Sequence, residues 1–430
     1  MDSTYSNGDY KRLGDRIRNN PTQISIQDLK MLQSLRLSYK DLLSEVFSVL
    51  VSESKKIERT SISTYRVKRI ESIISKLQRV DKMQLNRMSD IAGCRCILQS
   101  VDKVYQLKEK LQKVFIVKNI NDYISSPKVS GYRSLHMIVS LPNSQDNKTI
   151  EIQLRTRDQH NWATLVEITD LVYGTKIKET GCDGELAEFH RLLSFIYDNK
   201  LTKAQYERIV QISNSKSYFK KISGIFHNNY FAVRNQWNAV KQSNDKFFLI
   251  AADSTGLPII KSFRKIEEAE SAYFDNYMDN PNNKNIVLTH ISTATFDQIS
   301  LAYSNYFLTY NKLFFQCYQI MSSLVVDAYD SKQCFKFKGL YKEFLDLTEH
   351  FIGMNVTDFV QFQNKKLTIR SNKKRVEWWG SIKHHLGLIS DIFNYTQQKL
   401  NGGCVLCNLF KYITIRSFLR NKTEQKKRDR

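Results

Sequence analysis

No stretch of the 430-residue chain approaches the roughly eighteen uninterrupted apolar residues that a membrane-crossing helix needs, so no bilayer span and no membrane partner are expected. The opening segment MDSTYSNGDYKRLGDRIRNN lacks the apolar centre of a secretory signal, and the expected location is cytoplasmic. Cysteine supplies no framework. Cys94, Cys96, Cys182, Cys317, Cys334, Cys404 and Cys407 are odd in number and scattered, which argues for reduced thiols. Acidic charge is scarce: 43 Asp and Glu face 65 Lys and Arg, leaving +22. That excess favours a polyanionic partner such as a nucleotide or RNA, although a solvated basic surface would give the same number. At about 100–200 residues per domain, the length predicts two or three domains.

Residues 1–25 are polar and are expected to form a flexible N-terminus. Leu29, Leu32, Leu35 and then Leu42, Leu43, Val46 and Leu50 recur at helical spacing over 27–60. A second helix is predicted over 62–80, with Val67, Ile70, Ile74 and Leu77 as its apolar stripe. Its basic stripe is Arg69, Lys76 and Arg79, with Arg66 and Lys68 near its start. GCRCILQS, LHMIVSL and TIEIQLRT read as strands. DKVYQLKEKLQKV and DQHNWATLVEITDLVYG read as helices, the second stopped by a glycine. This succession predicts an α/β unit over 26–220, a mixed sheet flanked by helices. KFFLIAA, PIIKSF, KIEEAESAYFDNYM and NIVLTHI predict a small ββαβα domain of its own within 221–330, closed by a long aromatic-rich helix over 296–325. Residues 331–430 are expected to be a basic, mainly helical extension ending in a disordered tail.

Alternation along TIEIQLRT puts Glu151, Gln153 and Arg155 on one strand face, opposite Ile150, Ile152 and Leu154. In SDIAGCRC, Asp90 precedes a glycine-initiated strand and Arg95 lies just inside it. Two carboxylates arriving from two strand ends suit a hard cation such as Mg²⁺, which takes oxygen ligands together with substrate phosphates. Arg66, Lys68, Lys76 and Arg79 would neutralise phosphate oxygens, as phosphoryl-type transfer requires. In SGYRSLH, Gly131 lets the backbone turn and Tyr132 offers a ring to a base, while His136 taken alone reads as a buried, hydrogen-bonded imidazole. Singly, each feature has an ordinary structural reading, from rim residues on a strand to a tyrosine packing its own turn. Their conjunction points to a site. His160 and Trp162 read as packing residues.

YRVKRIESIISKLQR, MSDIAGCRC, SGYRSLH, EIQLRT and QHNWATLVE follow one another in this order. Together they resemble the synthetase domain of the RelA/SpoT alarmone synthetases, over about 40–215. The resemblance implies a nucleotidyltransferase-like fold and an ATP pyrophosphokinase that transfers the β,γ-pyrophosphate to the 3′-hydroxyl of GDP or GTP. It implies Arg66, Lys68, Lys76 and Arg79 on the ATP phosphates and adenine, with Arg95 on the same side. Asp90 and Glu151 would bind Mg²⁺, Glu151 alternatively acting as base. Tyr132 would stack on the acceptor guanine. Lys128, Arg133 and His136 would contact acceptor phosphates or order the site, with Gln153 and Arg155 in the same pocket. Many members have Asn before the Gly-Tyr pair, where this chain has Ser130.

Two other functions compete. A toxin-type pyrophosphokinase acting on the 3′ end of tRNA would suit the net charge and the basic run NKKLTIRSNKKR (364–375), which reads equally as a solvated face. A catalytically idle nucleotide-sensing module is a third, against which the intact Asp90 and Glu151 stand. With no histidine in the first sixty residues, no hydrolase domain and no alarmone hydrolysis are expected. CVLC at Cys404 and Cys407, with His384 and His385 upstream, has zinc-binding residue types, but it sits in an apolar run without a second pair at finger spacing. A basic extension after such an enzyme is a candidate restraint on it.

Overall fold

A computed structural model describes residues 5–307 apart from breaks at 22, 143–147, 178–183, 197–200, 241–244, 253–257, 280–285 and 292–294, with a few isolated positions up to 340. The zinc candidates, the basic 364–375 run and the C-terminal tail lie outside the described residues.

The N-terminus departs from expectation. It carries helix α1 (Asn7–Asn19), opened by a reciprocal cap in which the Ser6 hydroxyl accepts from the Asp9 amide and the Asp9 carboxylate accepts from the Ser6 amide. Tyr10, Leu13 and Ile17 are buried. So few apolar residues hide easily in a polar composition, yet they share one helix face. Helices α2 (Ile26–Leu37) and α3 (Lys40–Ile57) follow.

The single helix predicted over 62–80 is two elements. ISTYRV, β-branched and aromatic, forms strand β1 (Ile62–Val67), and helix α4 (Ile70–Arg79) begins only after Lys68 and Arg69. Arg66 therefore sits on a strand and Lys68 in the joint, while Lys76 and Arg79 are helical.

Strand β2 (Ala92–Leu98), helix α5 (Val101–Val114), strands β3 (Ile116–Asp122), β4 (Leu135–Ser140) and β5 (Ile150–Thr156), and helix α6 (Arg157–Tyr173) complete the predicted α/β order. Only β3, polar and half exposed, has no counterpart in the sequence reading. Then come helices α7 (Glu185–Leu193), α8 (Lys203–Ser215) and α9 (Tyr218–Val240), strands β6 (Phe247–Ala252) and β7 (Pro258–Phe263), helix α10 (Ile266–Asp279), strand β8 (Ile286–Ile291), and short helices α11 (Phe296–Ala302) and α12 (Ser304–Phe307). The expected ββαβ order after residue 245 is present, but it does not make a second sheet. All eight described strands form one mixed sheet in the order β3-β4-β5-β2-β1-β8-β6-β7, with β2 and β5 parallel and the other neighbours antiparallel. By compactness the chain divides into two units. Residues 202–227 and 314–430 form the second, where Lys336 pairs with Glu207 at 2.6 Å.

In the first unit one sheet face is mainly apolar, including Val67, Cys96, Met137, Ile152 and Leu288, and α1–α5 and α10 share that core. The other face is divided. Across β1, β8 and β6 it is apolar, with Ile62, Phe248 and Val287 packed among Val233, Trp237, Ile299 and Phe307. Across β4, β5 and β2 it is polar. Register aligns Gly93 with Glu151, Arg95 and His136 with Gln153, and Arg66 with Gly93. The strand-borne candidates Arg66, Arg95, His136, Glu151 and Gln153 thus share one face, while Lys68, Lys76, Arg79, Asp90, Lys128 and Tyr132 come from loops and from α4.

Two buried histidines give the fold an acid limit. His160 Nε2 bonds the Leu301 carbonyl at 2.9 Å and His190 Nε2 bonds Thr169 Oγ1 at 2.8 Å. Burial holds His160 well below the ordinary imidazole range, helped by Arg95 and Arg155, and holds His190 at about 3. Their unfolded forms take up protons below about pH 6.5 and the folded forms do not, so stability is full above that pH and falls below it by roughly 1.4 kcal/mol per histidine per pH unit. Denaturant midpoints are expected to drop between about pH 7.5 and about pH 5.5. A flat profile would contradict neutral burial of these rings.

Candidate active site

Glu151 occupies the middle of the polar face. His136 Nδ1 lies 2.9 Å from its Oε1, and Gln153 Nε2 donates to its Oε2 at 2.7 Å. Burial pushes the carboxyl up, but His136, Gln153 and Lys68 outweigh it and hold the group down at about 2. An ionised carboxylate only accepts, so His136 donates from Nδ1. Its Nε2 lies within hydrogen-bond distance, 2.8 Å, of the Tyr132 hydroxyl, which accepts from Arg155 Nη2 at 2.5 Å. Arg155 also donates to Gln153 Oε1 at 3.0 Å and to Ser134 Oγ at 3.2 Å. Five sequence-predicted residues therefore form one bonded chain, with buried Arg155 at its root.

Asp90 lies in the loop entering β2. Lys68 Nζ reaches its Oδ2 at 2.9 Å and Lys76 Nζ its Oδ1 at 2.7 Å. Burial works against the charge, but the two ammonium groups win and hold the carboxyl below its usual range. Arg95 is set differently. Burial, with Arg155 and Arg66 close by, lowers its guanidinium to about 10. Its Nε has no hydrogen-bond partner among the described residues. A half-buried guanidinium among like charges, with its Nε unmatched, is what an anion would satisfy. Arg79 sits exposed at the end of α4, away from Asp90's bonds.

On the other flank the loop 128–132 closes on itself, with Gly131 N donating to Lys128 O at 2.8 Å. The Lys128 ammonium lies 4.5 Å from the Tyr123 ring and 5.5 Å from the Tyr132 ring. Arg133 lines a recess with Gly131, Gln159, Trp162 and Ser194. Tyr123 was not foreseen. Its ring is 5.4 Å from His136 and 6.0 Å from Tyr132, at the end of the polar strand β3, whose sequence carries no clear signal. Gly131 has φ +91°, and a Cβ there would lie 2.5 Å from Ser194 Oγ. Gly131→Ala is expected to cost about 1–3 kcal/mol, read as a lower melting temperature. An unchanged melting temperature would mean the loop relaxes freely.

Chemically, this is a mixed-sheet α/β domain with two ionised carboxylates set among cations and an aromatic pair beside them. Residues 65–177 match the family described as the region found in RelA / SpoT proteins. That segment is similar to a RelA/SpoT-type domain. It is 37% identical over 124 residues to GTP pyrophosphokinase YjbM of Bacillus subtilis, covering 27% of this chain and 59% of that protein. It is 38% identical over 112 residues to GTP pyrophosphokinase YwaC of the same organism, covering 23% and 53%. The chain thus spans little more than half the length of these curated relatives. Among solved structures, small alarmone synthetase 1 from Bacillus subtilis bound to its product pppGpp is 27% identical, with 44% of this chain and 97% of that chain covered at a TM-score of 0.34.

Proposed function

We propose that the domain is an ATP pyrophosphokinase that transfers the β,γ-pyrophosphate of ATP to the 3′-hydroxyl of GDP or GTP. The observation that carries this reading is the pair of ionised carboxylates, Asp90 and Glu151, both within the field of Lys68, with Lys76 on Asp90 and with Arg66, Arg95 and Arg155 clustered on the polar sheet face. The relatives at 37% and 38% identity, both GTP pyrophosphokinases, support it.

In the reaction the 3′-hydroxyl gives up its proton to solvent as its oxygen bonds to the β-phosphorus, the bond from that phosphorus to the α,β-bridging oxygen breaks, and AMP leaves. Among the described residues no cluster of three or more His, Cys, Asp or Glu forms a metal cage. Two ionised carboxylates without a cage fit Mg²⁺, which is usually held by one or two carboxylates and the substrate phosphates. Bound there, Mg²⁺ would neutralise charge on the phosphate oxygens. A carboxyl near 2 is a poor general base at neutral pH, which favours Glu151 as ligand over Glu151 as proton acceptor. Lys68 and Lys76, which neutralise Asp90, would turn to phosphate oxygens once a cation takes their place. Arg66 and Arg95 supply further phosphate donors. Tyr132, anchored through its hydroxyl by Arg155 and His136, holds its ring for the guanine, and Lys128 lies beside it.

Purified protein, Mg²⁺ and γ-labelled ATP, offered GDP, GTP and bulk tRNA separately, test the reading. Label in a guanosine 3′-pyrophosphate supports it. Label on tRNA alone, or on no acceptor, overturns it.

A further inference from the structure

The five residues from Arg66 to Ile70 carry three cations and lead into the helix that bears Lys76. Four main-chain groups between Tyr65 and Ile70 are tied from outside. Tyr65 O accepts from Thr289 Oγ1 at 3.1 Å, Lys68 N donates to Ile91 O at 2.7 Å, Lys68 O accepts from Arg36 Nε at 2.9 Å, and Ile70 N donates to the Tyr273 hydroxyl at 3.1 Å. Three of the four depend on residues beyond the RelA/SpoT-type region. Thr289 and Tyr273 act directly. Glu270 acts through Arg36, whose Nη1 meets Glu270 Oε2 at 2.8 Å, with both side chains essentially unexposed. Gln33 Nε2 completes the carboxylate at 2.9 Å, and the Arg36 guanidinium lies 4.2 Å over the Tyr273 ring.

The Tyr273 bond has a specific task. Ile70 supplies the first amide of α4, one of the donors that a helix leaves without an internal partner. The residue before it, Arg69, provides no side-chain cap. Tyr273, from α10, satisfies that amide instead and fixes where α4 starts. The start of α4 sets the reach of Lys76, and the Arg36 bond to Lys68 O sets that of Lys68. Both lysines meet at Asp90. A buried Arg–Glu pair contributes little net stability but holds a geometry well, and small displacements of positioned charges are costly to transfer reactions.

We propose that Glu270 and Tyr273 are positioning residues for the donor nucleotide: they hold the 66–70 segment so that its cations and Lys76 converge where the ATP phosphates bind. The inference rests on the pyrophosphokinase reading. It makes the strands and helix after residue 245 part of the donor site's construction.

The test uses the full chain with Tyr273→Phe, which removes one hydroxyl and keeps the ring under Arg36, together with Glu270→Gln and Glu270→Ala. The probe is α,β-methylene ATP, which binds without transferring. Tyr273→Phe is expected to weaken its binding about tenfold, to leave the acceptor KM within about twofold, and to speed hydrogen exchange at the Ile70 amide. Glu270→Gln, which keeps an acceptor for Arg36, should lose less than Glu270→Ala. Unchanged probe binding in Tyr273→Phe overturns the proposal. So does a parallel loss of donor and acceptor constants that tracks the melting temperature, since that is a merely structural effect. If the wild type binds the probe but modifies no acceptor, the reaction reading fails, and selective loss of probe binding in the variants still supports positioning.

Discussion

Glu151→Gln is expected to lower kcat/KM for pyrophosphate transfer by about a thousandfold while leaving a folded protein. The substitution is nearly isosteric and removes the charge at the centre of the His136–Gln153 cradle. An amide there competes with Gln153 as donor and no longer offers an anionic oxygen to a cation. Because Tyr132 and Arg155 join the same chain, the loss should reach kcat more than the KM for ATP, whose phosphates, on the proposed reading, would meet Lys68, Lys76 and the arginines. Steady-state kinetics, with near-ultraviolet circular dichroism as the folding control, check this. A variant within about tenfold of wild type would remove Glu151 from the chemistry and with it the metal-ligand assignment.

Ending the chain after residue 220 is expected to give an insoluble or unfolded product, not a minimal active enzyme. The sequence alone suggests the opposite, because the region after 220 reads as a separate domain and a candidate restraint. In the fold, β8 pairs with β1 at Thr64, Tyr65 and Arg66, so truncation strips the ladder from the strand that carries Arg66. Ile62 and Ile97 lose Val233, Trp237 and Phe248 as core neighbours. Arg36 loses Glu270 and the Tyr273 ring it lies over, Gln33 loses the same carboxylate, and the apolar surface that the helix Ile266–Asp279 covers is bared. Solubility and melting temperature of the fragment beside the full chain decide the matter. A soluble fragment that still makes product would show that the added strands are dispensable.

Much of the site was legible because strand alternation has a period of two. TIEIQLRT alone placed Glu151, Gln153 and Arg155 on one face, and the structure bonds them to one another there. The β1–α4 boundary was not legible. Val67 and Ile70 lie three apart and continue a helical period by coincidence, while the β-branched ISTYRV run favours the strand that pairs between β2 and β8. Strand β3 escaped because it lies at the sheet edge with little apolar burial, so its pattern has nothing to report. Helix α1 escaped because three buried side chains leave no run.

What the sequence determined by itself is the chemistry: which residues carry charge, which alternate, and which strands and helices most segments form, since these depend on near neighbours. The tertiary structure decided which strand lies beside which. Periodicity marks a residue's face but not the neighbouring strand, because β-pairing joins backbone groups common to every residue. Whether residues 247–291 made a sheet of their own or extended the first was therefore set by packing: Glu270 against Arg36, Tyr273 against Ile70, and Thr289 against Tyr65.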